Sequence, residues 1–519
     1  MTTPLYQANG VSDTETMSSP AGSPSEPNDP AQHAPAVPIE SPWRALPVVM
    51  VGTFMAILDV FIVLVAAPAI QANLHATDAE VQLILAGYQL TYAATLITGG
   101  RLGDLFGRKR LFVVGMGVFT LASLACGAAP GPVSLIAARA VQGVGAGLMF
   151  PQVFAVIQVL LPSEGRSRAF GVLGAVIGGS TIVGQLLGGL LISADLFGTD
   201  WRPVFLINVP IGLVTMGLAA RLVPESRAPH ARRLDLPGVG VLTAALVLLV
   251  LPLVEGRQAG WPTWAWLSLA ASAVTFCVFA AVEVRVARAG RSPLINLGLF
   301  RQRPFAVGIA LVLVSYAALN SFFLVLSLVL QDGLGFSALG AGLVYTPLAV
   351  AFFAFSLLAG RLAPRYGRHV LEFGAIVTVV GFAATMAVAA GFGASLGPAA
   401  LIPTLVIQGV GEGLLLTPLL NAVLARIGED EIGMASGVLS TAQQVGGVLG
   451  VALIGVLYFG ALPKAGHGGT ASYAHALTVG VGFNVAAGLL ATALVFALPR
   501  RSRTSTVGSS GGSPDASRP

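Results

Sequence analysis

The sequence predicts an all-α integral membrane protein of fourteen transmembrane helices, built as two six-helix halves plus two inserted central helices. Three observations predict it: a composition too apolar for a water-soluble globule, apolar runs of spanning length that recur from residue 45 to residue 498, and an internal repeat. Of 519 residues, 55% are hydrophobic and 10% charged, which leaves too little polar surface to cover a soluble fold of this size. A span needs about 20 mostly apolar residues, because in lipid every backbone N–H and C=O must be paired within its own segment.

Residues 1–44 are polar and rich in Pro, Ser and Glu, and residues 499–519 are rich in Ser, Gly and Arg. Neither stretch can bury enough apolar surface to offset the entropy of ordering it, so both are expected to be disordered cytoplasmic tails. No apolar signal-peptide core precedes residue 45, and the first span is expected to target the chain. Between the tails, spans are read at 46–70, 81–99, 111–129, 133–161, 168–192, 204–221, 237–254, 263–286, 305–331, 339–359, 371–391, 398–424, 432–459 and 473–498. The N-terminal half then covers 45–222, a linker carrying the two extra helices covers 223–304, and the C-terminal half covers 305–498.

The net charge of +5 comes from short basic clusters between spans rather than from one basic domain, which argues against nucleic acid as a partner. With both termini cytoplasmic, 24 of the 28 Lys and Arg residues fall in inner segments, Arg202, Arg257 and Lys464 fall in outer loops, and Arg139 lies within a span. That bias follows the positive-inside rule, and adding or deleting one span would destroy it. Trp201, Trp261, Trp264 and Trp266 then gather at the outer interface, as amphipathic aromatics do. The expected location is the cell membrane. Cys126 and Cys277 both fall in apolar runs, as small packing residues do.

The repeat is visible when GRLGDLFGRKR at 100–110 is set against GRLAPRYGRHV at 360–370. LIAARAVQGVGAGL from Leu135 likewise matches LIPTLVIQGVGEGL from Leu401. Spans 1–6 and 9–14 are therefore read as parallel repeats, an arrangement that encloses a site near the bilayer midplane.

Three ionisable residues stand inside spans away from their ends. Asp59 sits near the middle of span 1, where an unpaired charge costs about 2.5–3.5 kcal/mol. Glu412 sits in QGVGEGLLL of span 12, with Gln408 one turn earlier on the same face. Its repeat counterpart is Ala146, so this carboxylate belongs to one half only. Arg139 is the basic residue within span 4, three residues before Gln142. At about 1.5 Å per residue, Asp59 lies roughly 15 Å and Arg139 roughly 9 Å from the outer surface, a gap that a guanidinium can bridge. A switchable interaction between them would make a proton relay.

Gly100, Leu102, Asp104, Gly107, Arg108 and Lys109, in the loop expected after span 2, carry a family resemblance. On these residues the sequence resembles the fourteen-helix drug:proton antiporters of the major facilitator superfamily, over roughly residues 45–498. The resemblance implies a gating role for Gly100, Asp104, Gly107, Arg108 and Lys109, in which Asp104 accepts from a helix N-terminus and pairs with Arg at a contact between halves. It ties Asp59 to proton coupling and matches Arg139 to the family's membrane-embedded arginine. Phe61 and Leu64 stand where polar residues are expected. In span 5 the antiporter motif GPxxGG reads Gly184, Gln185, Leu186, Leu187, Gly188, Gly189, with Gln185 in place of Pro. WRPVFLINVP at 201–210 resembles the start of span 6 in the same branch, with Pro203 in place of a second Trp.

Tyr88, Tyr92, Tyr316, Asn320, Phe352, Phe353, Ser440, Gln443 and Gln444 would suit a cavity that binds lipophiles through aromatic faces and a few polar anchors. Gln142, Tyr88, Tyr316 and Asn320 are the candidates for direct substrate or proton contact, with Glu412 and Gln408. No Walker loop and no metal-spaced His/Cys cluster occurs in the sequence, so neither an enzyme nor an ATP-driven pump is expected. No cofactor is expected either. The expected function is proton-coupled efflux of small lipophilic drugs or antibiotics, cations among them, by a monomer whose partners are substrate, protons and the bilayer. The alternatives are a dedicated exporter of an endogenous secondary metabolite, or a proton-coupled uptake symporter on the same fold.

Overall fold

Each predicted apolar run forms a helix, the secondary structure that pairs every backbone group within one segment in lipid. A computed structural model describes residues 42–161, 163–227, 235–290, 293–424, 432–462 and 469–498. The C-terminal tail lies outside them, as does the N-terminal tail up to Ser41. Among the described residues no strand occurs, and fourteen helices are long and apolar enough to cross a membrane. They are α1 (Ala45–Leu74), α2 (Asp78–Phe106), α3 (Arg108–Gly127), α4 (Pro132–Leu160), α5 (Ser163–Ala194), α6 (Pro203–Leu222) and α7 (Leu236–Glu255). Then follow α8 (Thr263–Arg288), α9 (Arg303–Leu328), α10 (Ala338–Tyr366), α11 (Arg368–Phe392), α12 (Pro398–Leu424), α13 (Ile432–Ala461) and α14 (Thr470–Ala497).

The helix ends have local causes. Thr77 caps α2 through a reciprocal pair in which Glu80 N donates to Thr77 Oγ1 at 3.2 Å and Thr77 N donates to Glu80 Oε2 at 2.8 Å. This box starts the helix three residues before the span expected at 81. At its other end α2 runs on to Phe106, so the stretch expected as a loop at 100–106 is helix. The break falls at Gly107, whose φ of +111° favours glycine. α6 is interrupted at Ile207, which separates the turn Pro203–Leu206 from Asn208–Leu222. α9 ends in a π turn, Val329–Gly333.

The repeat motif sets the packing of both halves. In α4 a Cβ on Gly143 would stand 2.2 Å from the Tyr88 carbonyl of α2, and one on Gly145 would stand 2.5 Å from Phe119 N of α3. In α12 a Cβ on Gly409 would stand 2.2 Å from the Leu348 carbonyl of α10, and one on Gly411 2.3 Å from Thr378 N of α11. The same glycines thus bring α4 against α2 and α3, and α12 against α10 and α11. Close backbone approach of this kind drives helix association where lipid removes the hydrophobic effect between helices.

The halves meet along α2–α13, α5–α10 and α1–α9. α2 and α13 pack along much of their length, with Ile97 clustered with Val438, Leu439 and Ala442 toward one end, and further contacts lie at the end that carries Asp78, Trp201 and Trp261. There Gln331 Nε2 donates to the Val65 carbonyl at 2.9 Å, Leu339 N donates to Ser193 Oγ at 3.2 Å, and Phe61 stacks edge-on against Phe323 at 5.6 Å. Gly189 of α5 is seated on the Ala338 carbonyl of α10. Toward the opposite end, Gly171 and Gly174 of α5 and Gly360 of α10 face open space. α7 lies over the α2–α13 seam through an apolar cluster of Ala79, Ala86, Val250, Val254, Val448 and Ala452. α8 packs on α7 and is otherwise largely exposed, as a lipid-facing helix would be.

Candidate functional site

Inside the N-terminal half, α1, α3, α4 and α6 turn polar groups toward one another. Asp59 is 0% exposed and Arg139 1% exposed, and Arg139 Nη1 donates to Asp59 Oδ2. Gln142 Nε2 donates to Asp59 Oδ1 at 2.8 Å and to Ser123 Oγ at 2.8 Å, while Gln142 Oε1 accepts from Arg139 Nη1 at 2.7 Å. Asn208 Nδ2 adds a bond to Asp59 Oδ1 at 3.3 Å. The guanidinium is held further by the Ile84 carbonyl at 3.2 Å and lies 4.3 Å from the Tyr88 ring centre. Tyr88 is fixed in turn by its hydroxyl, which donates to the Ala56 carbonyl at 2.9 Å. A buried charge pair persists when its remaining lone pairs and protons are satisfied, and here Gln142, Asn208, the Ile84 carbonyl and the Tyr88 ring do so.

Asp59, Arg139, Gln142 and Tyr88 are therefore brought together as one network. Ser123 and Asn208 complete it without having been singled out in the sequence. Neutral polar residues are common in spans, and the amide in LINVP just after the Trp201 motif was the available signal. The break in α6 falls one residue before that amide.

Glu412 lies inside the C-terminal half, among α9, α11, α12 and α14. It is 4% exposed and accepts from Gln408 Nε2 at 3.0 Å, the one-turn pairing expected from the sequence. Its Oε2 has no hydrogen-bond partner among the described residues. It borders a small cavity lined also by Ser315, Ala318, Thr378, Phe382 and Gly488. Glu412 thus faces the interior of its own half, apart from the Asp59 network.

Tyr316 and Asn320 of α9 lie toward the seam. Gln443 Nε2 donates to the Tyr316 hydroxyl at 2.7 Å, and Gln89 Nε2 of α2 donates to Asn320 Oδ1 at 3.0 Å, a bond between halves. Gln185 is 2% exposed, with its Oε1 unpartnered. Gly184 and Gly188 pack on α1 at Leu58 and Ile62.

The expected contact of Asp104 with a helix N-terminus and across halves is replaced by another arrangement. Asp104 pairs with Arg108, one turn on, at 2.8 Å. The N-terminus of α3 is taken instead by Glu225, which accepts from Lys109 N at 3.2 Å and Arg110 N at 3.3 Å. The reason is steric and electrostatic: a Cβ at Gly107 would stand 2.5 Å from Glu225 Oε1, so the glycine admits that carboxylate to the positive end of α3. Gly100 packs on Pro151 of α4. Arg101 reaches the Pro293 carbonyl in the segment after α8.

Glu412 is also not alone with Asp59 as a buried acid. Glu283, near the end of α8, is 1% exposed and accepts from Ile295 N at 2.8 Å, beside Asp235, which accepts from Leu294 N at 3.3 Å. The chain folds back over Glu283 after α8, which its position near a span end does not reveal.

Residues 49–451 match the Major Facilitator Superfamily. Relatives include the "Probable actinorhodin transporter" of Streptomyces coelicolor, 41% identical over 421 residues, which are 81% of this chain and 73% of that protein. The puromycin resistance protein pur8 of Streptomyces alboniger is 35% identical over 483 residues, 89% of this chain and 94% of that protein. The cephamycin export protein CmcT of Amycolatopsis lactamdurans is 35% identical over 424 residues, 79% of this chain and 84% of that protein. Among solved structures, a D-xylose–proton symporter aligns with a TM-score of 0.58 at 15% identity, over 86% of this chain and 97% of that one. A POT family transporter in complex with 5-aminolevulinic acid aligns with a TM-score of 0.63 at 13% identity, over 87% of this chain and 95% of that one. At such identities the structures speak for the fold alone, and the relatives speak for the family. By its two repeated six-helix halves and by these matches, this fourteen-helix chain belongs to the major facilitator superfamily.

Proposed function

We propose that the chain exports small lipophilic molecules of the antibiotic class across the cell membrane in exchange for protons. The observation that carries this reading is the buried network around Asp59, together with the names of the relatives, a "Probable actinorhodin transporter", a cephamycin export protein and a puromycin resistance protein. A carboxylic acid can be neutralised by a proton, whereas a guanidinium in a protein keeps its charge. When Asp59 takes a proton, Arg139 keeps the Gln142 and Ile84 oxygens and the Tyr88 ring as partners, so the pair can open without stranding the cation. Asp59 and Arg139 are thus the proton-coupling pair, with Gln142 as the group that holds both.

In this reading the basic-rich ends and both termini are cytoplasmic, and the seam contacts near Val65, Ser193 and Ala338 lie outside. The arrangement is then closed outward, one of two states that alternate about the midplane. Glu412, with its unpartnered oxygen beside a cavity, receives cationic substrates or protons. Tyr316 and Asn320 line the path near the seam, and the Gly100–Lys109 turn biases the gate.

The test is the direction of proton movement in proteoliposomes that hold the purified chain and a lipophilic antibiotic. Antiport moves protons against the direction of substrate movement. Protons moving with the substrate would mean symport, the reading that Gln185 in place of Pro favours. Substrate flux without proton flux would remove Asp59 from its proposed role.

A further inference from the structure

The seam at the Trp201 end is crossed by a residue that belongs to neither half. Arg257, in the turn between α7 and α8, is bonded to Asp78 at the start of α2, Nη2 to Oδ2 at 2.8 Å, and through Nη1 to the Phe459 carbonyl near the end of α13 at 3.2 Å. Its guanidinium also lies 5.6 Å from the Phe459 ring centre. In the orientation that satisfies both ends of its amide, the neighbouring Gln258 accepts from Asp78 N at 3.2 Å and Ala79 N at 2.9 Å. The α7–α8 turn is therefore anchored to α2 by a charge pair and two backbone bonds. It touches α13 through one neutral carbonyl and one ring.

A second observation gives the charge a purpose. Asp332, at the end of α9 in the opposite half, lies within electrostatic reach of Asp78. Asp332 thus adds like charge to Asp78 from the other half, and repulsion between the two works against closure at this end. Arg257 neutralises one of them. Tyr458 and Tyr473 border the same cluster, and Gln71 Nε2 donates to Asp78 Oδ1 at 3.0 Å.

We propose that Arg257 is a positioning residue of the outer gate, a strap by which the inserted helix pair holds this end of the two halves closed. The strap rests on the alternating-access reading above. On opening, Arg257 stays with Asp78 and gives up the Phe459 carbonyl, since the charge-assisted bond is the stronger of the two. The inserted pair then travels with α2 and leaves α13. Only this one-sided release lets a fixed contact act as a latch.

The test uses the full chain in lipid nanodiscs, with Cys277→Ser and spin labels at Ala72→Cys on α1 and Gly460→Cys on α13, both exposed positions. Cys126 is buried and stays in place. Distances are recorded by pulsed electron resonance over a range of pH. Arg257→Gln is expected to raise the ratio of long to short distances about two- to tenfold, the range for losing a half-exposed ion pair plus a charge-assisted bond. Adding Asp332→Asn to Arg257→Gln should bring the ratio partway back, because the uncompensated repulsion is removed. Asp78→Asn, which removes anchor and repulsion together, should raise it less than Arg257→Gln. An Arg257→Gln distribution equal to that of the parent would overturn the strap. If Arg257→Gln does not fold, Arg257→Lys and Asp78→Asn are read against the same criterion. A parent whose distance never changes with pH or substrate would instead remove the alternating-access reading.

Discussion

Separating Asp59 from Arg139 is the sharpest perturbation of the network, and its two halves are not equivalent. Both side chains are fully buried, the regime in which removing one member of an ion pair costs about 3–5 kcal/mol. Asp59→Asn leaves Arg139 with the Gln142 oxygen at 2.7 Å, the Ile84 carbonyl at 3.2 Å and the Tyr88 ring at 4.3 Å. That places its cost near the lower end, about 3 kcal/mol. Arg139→Gln leaves a carboxylate held only by the Gln142 and Asn208 amides. Its cost is near the upper end, about 5 kcal/mol, at alkaline pH. In acid a proton replaces the lost guanidinium. A neutral carboxyl costs less to bury than an unpaired carboxylate, so Arg139→Gln is expected to be less destabilised in acid than in alkali. Asp59→Asn has no such compensation, because Arg139 cannot discharge. The double variant leaves no charge in the site and should lose less than either single one, about 2 kcal/mol. Unfolding in mixed micelles at about pH 5 and about pH 8, each variant referred to the parent at the same pH, measures all three. A double variant as unstable as the sum of the singles, or an Arg139→Gln variant indifferent to pH, would refute the reasoning.

Asp59→Asn should also abolish proton-driven efflux, by about a hundredfold or more for loss of a coupling group, while membrane insertion measured by fractionation stays intact; unchanged active efflux would clear Asp59 of any role. Glu412→Gln should weaken efflux of a monovalent cation far more than efflux of a neutral lipophile under one pH gradient, because the amide removes the charge that Gln408 alone now supports; equal loss for both would make Glu412 part of the proton path. Gly409→Ala, whose new Cβ would meet the Leu348 carbonyl at 2.2 Å, should destabilise by about 1–3 kcal/mol, seen as a lower midpoint in thermal unfolding. A Cys placed at Arg108 should be modified only after the membrane is opened, and labelling from outside in intact cells would invert the proposed orientation.

The helices and the repeat were legible because bilayer-length apolar runs and a duplicated motif leave few other solutions. The Asp59–Arg139 pair was legible for a related reason: charges at depth are costly, and depth can be counted from the span ends. Gln408 followed from helical spacing. What remained hidden were contacts whose partners look ordinary. Asn208 and Ser123 are neutral residues on α6 and α3, and their convergence on Asp59 depends on how those helices are rotated. Glu225 reads as a loop acid until Gly107 is seen to open the α3 terminus to it. Arg257 counts in the sequence only as one of three basic residues in outer loops. Nothing local joins it to Asp78, far back in the chain.

The two halves use one frame in different ways. Gln142 and Gln408 are repeat counterparts, and each serves a buried carboxylate. In the N-terminal half α1, α3, α4 and α6 surround an acid whose charge is answered by an arginine. In the C-terminal half α9, α11, α12 and α14 surround an acid answered by one amide, with its second oxygen unpartnered beside a cavity. Asn484 of α14, placed much as Asn208 of α6, bonds Ser321 Oγ at 2.8 Å and the Ala318 carbonyl at 2.7 Å rather than an acid. Leu405 stands where the repeat places Arg139, so the C-terminal half lacks the built-in cation. On the proposed reading, a carboxyl without a resident counter-charge is stabilised by the positive species that enters, a proton or a substrate ammonium, and the two exclude each other there. The N-terminal acid, by contrast, always has its guanidinium to return to. On the same reading, competition at one acid and reversible pairing at the other suit an exchanger, and the repeat motif differs at both places that matter, with Leu405 for Arg139 and Glu412 for Ala146.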